Sequence, residues 1–249
     1  MFDKYPKERT ELTPEFRKIY NEYYKNNRDG KTAVTSISQK MESWLHTKVA
    51  ADVTKDHNKS TLEIGAGTLN QLKYENTTPY DIIEPFSDLY EKSPYRSRIR
   101  NIYNDIKEVD PSIKYDRIIS IATFEHILNL PEVVAKSTLL LNKNGTFRVA
   151  IPNEGTILWK LGWKLTTGIE FKIKYGLNYK FLMQHEHVNT ADEIEEVLSY
   201  FFRKCKCSSF GLSKKFAFYR FYECSDPDII KAKEYLLENS NISDISYSK

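Results

Sequence analysis

Two glycines after a short apolar run are the clearest candidate for binding chemistry in this sequence. The stretch TLEIGAGTLNQL covers residues 61–72, and Gly65, Ala66 and Gly67 follow its apolar part. A chain that passes from a buried strand into a helix through glycines can bring backbone N–H groups very close to a ligand. The dinucleotide fingerprint G-x-G-x-x-G ends in a third glycine, where this chain has Asn70. The stretch therefore indicates a nucleotide-like ligand but does not identify it.

Acidic residues follow the glycines at a spacing that suits ribose and purine recognition. Glu84, in YDIIEP, comes 17 residues after Gly67, close to the roughly 20-residue spacing at which an acid reaches ribose hydroxyls. A carboxylate suits this role because it accepts two hydrogen bonds at once. Asp105, after a further apolar run, could accept a hydrogen bond from the exocyclic amine of a purine.

Histidines are the candidates for catalysis, because histidine is the usual base near neutral pH. His126, beside Glu125, follows the apolar run YDRIISIAT and is the first candidate for a base or a substrate contact. His185 and His187, in QHEHVN, come next, and for all three a packing role is an equal alternative. We predict no metal site, because H-x-H alone is a weak pattern. The alternative is that His185 and His187 bind a metal together with Glu186 or Glu125.

The runs around these residues predict strands that alternate with helices. The runs with strand character are TLEIG, YDIIEP, RIRNIYND, YDRIISIAT and TFRVAIP. LPEVVAKSTLLL, which opens with Pro131 and stops before the turn NKNG, is typical of a helix. The first 60 residues also read as helical, with Thr13 as an N-cap. This alternation implies an α/β fold with a parallel sheet and helices on both faces.

Residues 157–184 depart from the alternation. They mix aromatic and aliphatic residues with five lysines and one acid, Glu170. An ordinary connection is much shorter, so we predict an inserted lid at the entrance for an acceptor substrate. The alternative is a membrane-contacting element, with Trp159 and Trp163 in lipid and the lysines on anionic headgroups. Two glycines within the insert favour the lid, because they interrupt a long amphipathic helix.

Composition limits which partners and which cellular location can be expected. Of the 249 residues, 40% are hydrophobic and 29% are charged, and the formal net charge is +3, so no global basic field indicates nucleic acid as a partner. Three cysteines argue against a disulfide scaffold, and Cys205 and Cys207 are expected to be structural. The start lacks the apolar core of a signal peptide, and no apolar run is long enough to span a membrane. We expect a cytoplasmic protein.

The order of these features resembles the class I S-adenosylmethionine-dependent methyltransferases over residues 60–224. LEIGAG is similar to the first motif of that family, DIIEP to the second and YNDI to the adenine-contacting segment. YDRIISIATFEHI followed by LLLNKNGTFRVAIPN resembles its fourth and fifth strands, and FEHI resembles its branch of sugar, quinone and small-molecule enzymes. The resemblance implies S-adenosylmethionine as cofactor and a Rossmann-like, seven-stranded, mostly parallel sheet with an antiparallel last strand. The cofactor-binding residues that it implies are Glu63, Gly65, Ala66, Gly67, Glu84, Pro85, Asp105, Ile106 and Ala122.

The expected organisation has three parts. A helical amino-terminal segment covers residues 1–58, a methyltransferase domain covers 59–224 with the lid at 155–187, and a polar tail covers 225–249.

The resemblance implies methyl transfer to a small or carrier-linked acceptor, and we favour O-methylation of a sugar, sugar phosphate or surface-polysaccharide precursor. The alternatives are a nicotinamide-dependent oxidoreductase and a non-catalytic S-adenosylmethionine-binding module. Nucleic acid is not expected as an acceptor, since the chain lacks an N-P-P-[YFW]-type tetrapeptide, while peripheral membrane contact stays open.

Overall fold

The structure is a computed structural model that describes residues 2–19, 36–165 and 167–246. Its strands are β1 (Thr61–Ile64), β2 (Tyr80–Ile83), β3 (Ile102–Tyr103), β4 (Tyr115–Ile121), β5 (Leu141–Pro152), β6 (Phe202–Gly211) and β7 (Ala217–Pro227). The described strands form one sheet in the order β3-β2-β1-β4-β5-β7-β6. The first five strands are parallel, and β7 runs antiparallel to both β5 and β6. The predicted sheet with its antiparallel last strand is confirmed.

Helices pack on both faces of this sheet, as predicted. They are α1 (described over 14–19), α2 (Ser36–Ala50), α3 (Ser87–Tyr90), α4 (Leu130–Leu140), α5 (Ile157–Leu165), α6 (Thr167–Tyr175), α7 (Tyr179–Glu186), α8 (Ala191–Phe201) and α9 (Ile229–Ser246). On one face α4 packs against α8 and α9, while α2 contacts β4, β5 and β7 on the other. Within the described ranges, no helix combines the length and apolar character that crossing a membrane requires.

Side chains of the central strands are buried in two cores, one on each face of the sheet. Leu62 and Ile64 are buried in the core formed with α4 and α8. Ile82 of the neighbouring strand is buried with Leu45 and Val49 of α2 in the second core. A strand covered on both faces is expected to be apolar throughout or to carry satisfied polar groups. Burying each of these aliphatic side chains stabilises the fold by about 1.5–3 kcal/mol.

The amino-terminal segment corrects the expectation of a helical start. Thr13 is the N-cap, since its hydroxyl accepts a hydrogen bond from the Phe16 N–H at 3.4 Å, but residues 2–13 contain no helix. Pro6 cannot sit inside a helix without removing a hydrogen bond, and Lys7 donates to the Val188 carbonyl at 2.7 Å instead. Residues 20–24 of the predicted first helix lie outside the described residues.

Two further local predictions differ from the structure. The segment after the glycines is a short 3-10 helix at Asn70–Lys73 and not an α-helix. NKNG is not a turn between elements but an irregularity inside β5, where the pairing with β4 moves from Leu141 to Thr146. The chain therefore enters β5 directly from α4, and the extra residues bulge from the strand.

The last part of the chain joins the core. Strand β7 continues to Pro227, beyond the expected domain end, and Ala232 of α9 is fully buried against α4 and its neighbours. Cys205 is disulfide-bonded to Cys224, its direct partner in the β6–β7 register. This pairing was not predicted, while Cys207, two residues on, packs against the same core as Cys205. The domain limits themselves stay a prediction.

Candidate active site

The glycine turn after β1 has the backbone geometry that its sequence predicts. Gly65 and Gly67 have φ angles of 72° and 51°, in the left-handed region that strains other residues. A Cβ on Gly65 would lie 2.3 Å from the Thr123 hydroxyl, whereas a Cβ on Gly67 would have no described atom within 4 Å. Gly65 therefore lets β1 approach the end of β4, and Gly67 borders open space.

Glu84, the residue after β2, directs its carboxylate at this turn. Its Oε2 accepts a hydrogen bond from the Gly67 N–H at 2.9 Å, and its Oε1 accepts one from the Phe86 N–H at 3.0 Å. A carboxylate has about four acceptor positions, so further donors can still bind. Glu84 thus lies beside the glycine turn, while its assignment to a ribose stays a prediction.

The other residues that the resemblance implies for cofactor binding differ in their burial and contacts. Ala66 is buried in the turn and Pro85 is exposed after β2. Asp105 caps a short 3-10 turn, because its Oδ1 accepts a hydrogen bond from the backbone N–H two residues on at 2.8 Å. Ile106 is a buried core residue, and Ala122 is exposed after β4 with a φ of 49°. The contacts of Asp105 are those of a helix cap, and its role at an adenine stays a prediction.

Glu63 has a mainly internal environment. Its carboxyl accepts a hydrogen bond from the Tyr80 hydroxyl at 2.8 Å, and the residue is 3% exposed. Burial raises the pKa of Glu63 to about 8, against the opposing effect of the Tyr80 hydrogen bond. The side chain is therefore mostly protonated at neutral pH. Its implied role at the cofactor stays a prediction.

Asn189 fixes the segment after α7 against the end of β4. Its side-chain amide donates to the Phe124 carbonyl at 2.8 Å, and its backbone N–H donates to the Glu125 carbonyl at 3.1 Å. This contact brings His187 to His126, with ring centroids 4.9 Å apart and ring planes at 80°. Two histidines that are distant in sequence therefore share one site.

His126 is held through one ring nitrogen. Its Nδ1 lies 2.9 Å from the Glu186 carbonyl oxygen, and because a carbonyl can only accept, we infer that Nδ1 carries the proton. The neutral ring then presents the lone pair of Nε2, which lies 3.7 Å from Glu125 Oε1. Glu125 is 2% exposed, and its Oε2 has no hydrogen-bond partner among the described residues.

His187 is largely buried between Glu154 and Trp159. Its Nδ1 lies 2.8 Å from Glu154 Oε2, and the Trp159 ring stacks on it at a centroid distance of 6.4 Å. Burial lowers the pKa of His187, but the hydrogen bond to Glu154 and the charges of Glu125, Glu154 and Glu186 outweigh burial, so the pKa is raised. Burial by itself would raise the pKa of Glu154. The hydrogen bond with His187 outweighs burial, so the pKa of Glu154 is lowered.

His185 lies apart from this pair. Its Nδ1 is 2.7 Å from the Thr10 carbonyl oxygen of the amino-terminal segment. In contrast, potential ligand atoms of Glu125, His126 and His187 lie within 4.8 Å of one another. Of the four residues considered for catalysis, the structure thus brings Glu125, His126 and His187 together and leaves His185 outside.

Sequence reasoning missed two residues that shape the site. Glu154 follows β5, so the rule that ligand-binding residues follow parallel strands could have found it. Arg9 had no such signal, yet its guanidinium donates to the carbonyls of His185 at 2.8 Å and His126 at 3.2 Å. The amino-terminal segment therefore holds in place the backbone at and next to Glu125, His126 and His187, which we call the histidine cluster.

The insert packs around the same region. Trp159 of α5 contacts Tyr219 of β7 edge-on at a centroid distance of 5.5 Å. Phe171 of α6 is buried in a small core with Leu12 and Phe16 of the amino-terminal segment. Trp159 and Phe171 thus face the protein, as a lid requires, although the function of the insert stays a prediction.

Comparison with known proteins supports the fold. Neither a family sequence model nor a curated protein sequence matches this chain. The plantazolicin methyltransferase BpumL, in complex with a monoazolic desmethylPZN analog and SAH, matches at 16% identity and a TM-score of 0.57, over 86% of this chain and 91% of its own. A possible histamine N-methyltransferase from Thermotoga maritima matches at 14% identity and a TM-score of 0.52, over 85% and 98%. The chain has the fold of the class I S-adenosylmethionine-dependent methyltransferases.

Proposed function

We propose that this protein is an S-adenosylmethionine-dependent methyltransferase that acts on a small or carrier-linked acceptor. The observation that carries the proposal is the Glu84 carboxylate held against the Gly67 N–H, at the carboxyl ends of the adjacent parallel strands β2 and β1. Ligands of open α/β sheets bind at such ends. The BpumL structure, which shares the fold, is named as a methyltransferase in complex with SAH.

The residues around the glycine turn fit such a cofactor. Open space borders Gly67, and Glu84 retains acceptor positions for the two ribose hydroxyls. In this proposal Asp105 accepts from the adenine amine through Oδ2, since Oδ1 is engaged by the backbone. When bound, S-adenosylmethionine supplies a sulfonium methyl group that is already electrophilic. The protein therefore contributes mainly alignment and the exclusion of water.

The histidine cluster is the proposed acceptor side. Ala122, at the cofactor edge, precedes His126 by only four residues, so β4 connects the two halves of the site. In the neutral form of each ring, the Nε2 atoms of His126 and His187 carry the lone pairs, because each Nδ1 is held by an acceptor oxygen. Either lone pair could take the proton of an acceptor hydroxyl as the methyl group is transferred, as a general base does.

We further propose that the acceptor is a sugar or a surface-polysaccharide precursor, methylated on oxygen. The support is chemical: the Trp159 ring stacks on His187 and meets Tyr219 edge-on, and aromatic faces suit sugar rings. The names of the two structural neighbours, BpumL and the Thermotoga maritima protein, mention no sugar. The acceptor class therefore rests on the chemistry of this site alone.

One assay tests this proposal. The full chain is incubated with methyl-labelled S-adenosylmethionine and a metabolite extract, and the labelled product is identified by mass spectrometry. We expect a labelled O-methyl sugar, formed by wild type and by a Glu91→Gln control at an exposed acid, and lost in Glu84→Ala. A labelled nitrogen or carbon atom would overturn the acceptor proposal. Cofactor binding without any labelled product would favour the non-catalytic binding module.

A further inference from the structure

Glu125, His126 and His187 have the composition of a metal site. Together they offer one carboxylate and two imidazoles, with one potential ligand atom from each within 4.8 Å of the others. They come from two distant segments, the turn after β4 and the segment after α7, which Asn189 joins through hydrogen bonds. The cluster is thus held by the backbone and does not depend on flexible surface chains.

The second nitrogen of each histidine is fixed in the way that metal ligands require. A ligating histidine almost always donates its other N–H to a carbonyl or carboxylate, which orients the ring. His126 Nδ1 lies 2.9 Å from the Glu186 carbonyl, and His187 Nδ1 lies 2.8 Å from the Glu154 carboxylate. Glu154 is itself held by a hydrogen bond from the Trp159 indole N–H. Both Nε2 lone pairs are therefore available to a ligand.

Glu125 is the independent observation that indicates a ligand. Its side chain is nearly fully buried, and Oε2 has no hydrogen-bond partner within the described ranges. A buried carboxylate oxygen without a hydrogen bond is costly, since it has lost water and gained no donor in return. Its Oε1 is 3.7 Å from His126 Nε2, so the carboxylate borders the same space as the imidazoles.

We propose that Glu125, His126 and His187 bind one divalent transition-metal cation, with zinc as the best match. Two imidazoles with one carboxylate suit Zn²⁺ and its neighbours, whereas Mg²⁺ and Ca²⁺ prefer all-oxygen sites. Ligand bonds of 2.0–2.2 Å in a tetrahedral site place ligand atoms about 3.4 Å apart, so binding draws the three groups together by side-chain rotation. Three protein ligands leave a position for an acceptor oxygen or water.

This inference deepens the proposed function and rests on it only for the role of the ion. A cation here would polarise an acceptor oxygen as a Lewis acid. The same Nε2 lone pairs cannot serve as ligands and as general bases at once, so coordination would replace the base role of His126 or His187. Binding of the ion itself does not depend on the reaction and can be measured separately.

The test measures Zn²⁺ binding to the full chain by calorimetry after dialysis against a chelator, with Co²⁺ absorption as a second readout of imidazole ligation. We expect one ion per chain, with affinity at least about 10-fold weaker in His187→Ala and in Glu125→Gln. His185→Ala is the matched control and should bind like wild type, because His185 belongs to the same H-x-H pair but contacts Thr10 instead. If His187→Ala does not fold, the Zn²⁺ affinity of the near-isosteric variant Glu125→Gln tests the site.

Two results would overturn the metal site. One is the absence of stoichiometric Zn²⁺ binding to wild type, and the other is binding that His185→Ala removes while the cluster variants retain it. S-adenosylhomocysteine is titrated into the same samples. In wild type, absent zinc binding with intact S-adenosylhomocysteine binding rejects the metal site alone, whereas zinc binding without S-adenosylhomocysteine binding rejects the proposed function alone.

Discussion

At the scale of single residues, Glu63 and Glu84 show how two acids near one turn can differ in their contacts. Glu84 accepts hydrogen bonds from two backbone N–H groups at the edge of the sheet. Glu63 accepts one from Tyr80 inside the protein, and burial raises its pKa to about 8. Glu63 therefore keeps its proton in the folded chain at pH values where the unfolded chain has released it.

This difference predicts a pH-dependent stability that belongs to Glu63. Between its ordinary pKa of 4.5 and about 8, the folded state binds more protons than the unfolded state. The free energy of unfolding should therefore fall as the pH rises, by at most about 1.4 kcal/mol per pH unit from this group. Glu63→Gln stays neutral and should lack this decline. Urea unfolding of both proteins is measured at pH 5.5, 6.5 and 7.5. The free energy of unfolding of Glu63→Gln should rise relative to that of wild type as the pH increases, and a difference that stays constant would refute a raised pKa.

The two glycines of the turn form a matched pair for mutation. Gly67→Ala meets no described atom but keeps a positive φ, so it should lower the free energy of unfolding by about 1–2 kcal/mol. Gly65→Ala adds a clash with Thr123, and overpacking raises the expected cost to about 2–5 kcal/mol. Equal destabilisation of the two variants in denaturant titrations would show that β1 and β4 do not approach as closely as described.

Glu84 is the residue through which the cofactor proposal can be tested by mutation. Glu84→Ala removes a carboxylate that would accept charge-assisted hydrogen bonds from a ribose, so S-adenosylmethionine should bind more weakly by about 1–3 kcal/mol. Calorimetric titration measures this change directly. Glu91→Gln, at an exposed acid of the next segment, should bind like wild type. Unchanged affinity in Glu84→Ala would remove Glu84 from the ribose.

At the scale of elements, local sequence predicted those parts whose signals are local. The apolar runs predicted the strands, and Pro131 marked the first turn of α4, which begins at Leu130. The glycines predicted the left-handed turn after β1 because few other residues adopt that backbone. The residues just after each parallel strand could therefore be predicted as site candidates, including Glu84 and His126.

The contacts between distant segments could not be predicted in the same way. His187 meets His126 only because Asn189 bonds to carbonyls after β4, and neither periodicity nor spacing encodes such a contact. Residues 2–12 likewise lie against the cluster through Arg9 and its bonds to backbone carbonyls. The glycine turn and the position of Glu84 could thus be predicted from motifs, whereas the composition of the histidine cluster required the tertiary structure.

The insert gives a prediction at this scale. Its tryptophans face Tyr219 and Tyr179, and its most exposed apolar residues are Ile157 and Ile173. If the insert is a lid, Trp159→Ser should raise the KM of the acceptor by about 2–12-fold, the effect of one aromatic contact, and Ile173→Ser should leave it unchanged.

Vesicle sedimentation tests the competing role of the insert. As a lid it should leave the protein in the supernatant with anionic vesicles. Binding that disappears at high salt and in an Ile157→Ser, Ile173→Ser double variant would establish membrane contact instead. The two isoleucines, not the tryptophans, are the residues to change, because they are 76% and 81% exposed.

At the scale of the whole molecule, the strand order reverses between β1 and β4. Strands β2 and β3 extend the sheet on one side of this point, and β5, β7 and β6 extend it on the other. Ligands of open α/β sheets bind at such a reversal. The glycine turn follows β1, and Glu125 and His126 of the histidine cluster follow β4, so the topology brings both proposed halves of the reaction to adjacent strand ends.

The central claim is that this site binds S-adenosylmethionine for methyl transfer, and ligand-dependent melting of the full chain tests it most directly. S-adenosylhomocysteine at about 100 times its Kd should stabilise the fold by about 2.7 kcal/mol. At roughly 2–4 °C per kcal/mol for a chain of this size, the melting temperature should rise by about 5–10 °C, and NADH should leave it unchanged. A rise with NADH and none with S-adenosylhomocysteine would contradict the account and favour the nicotinamide-dependent alternative.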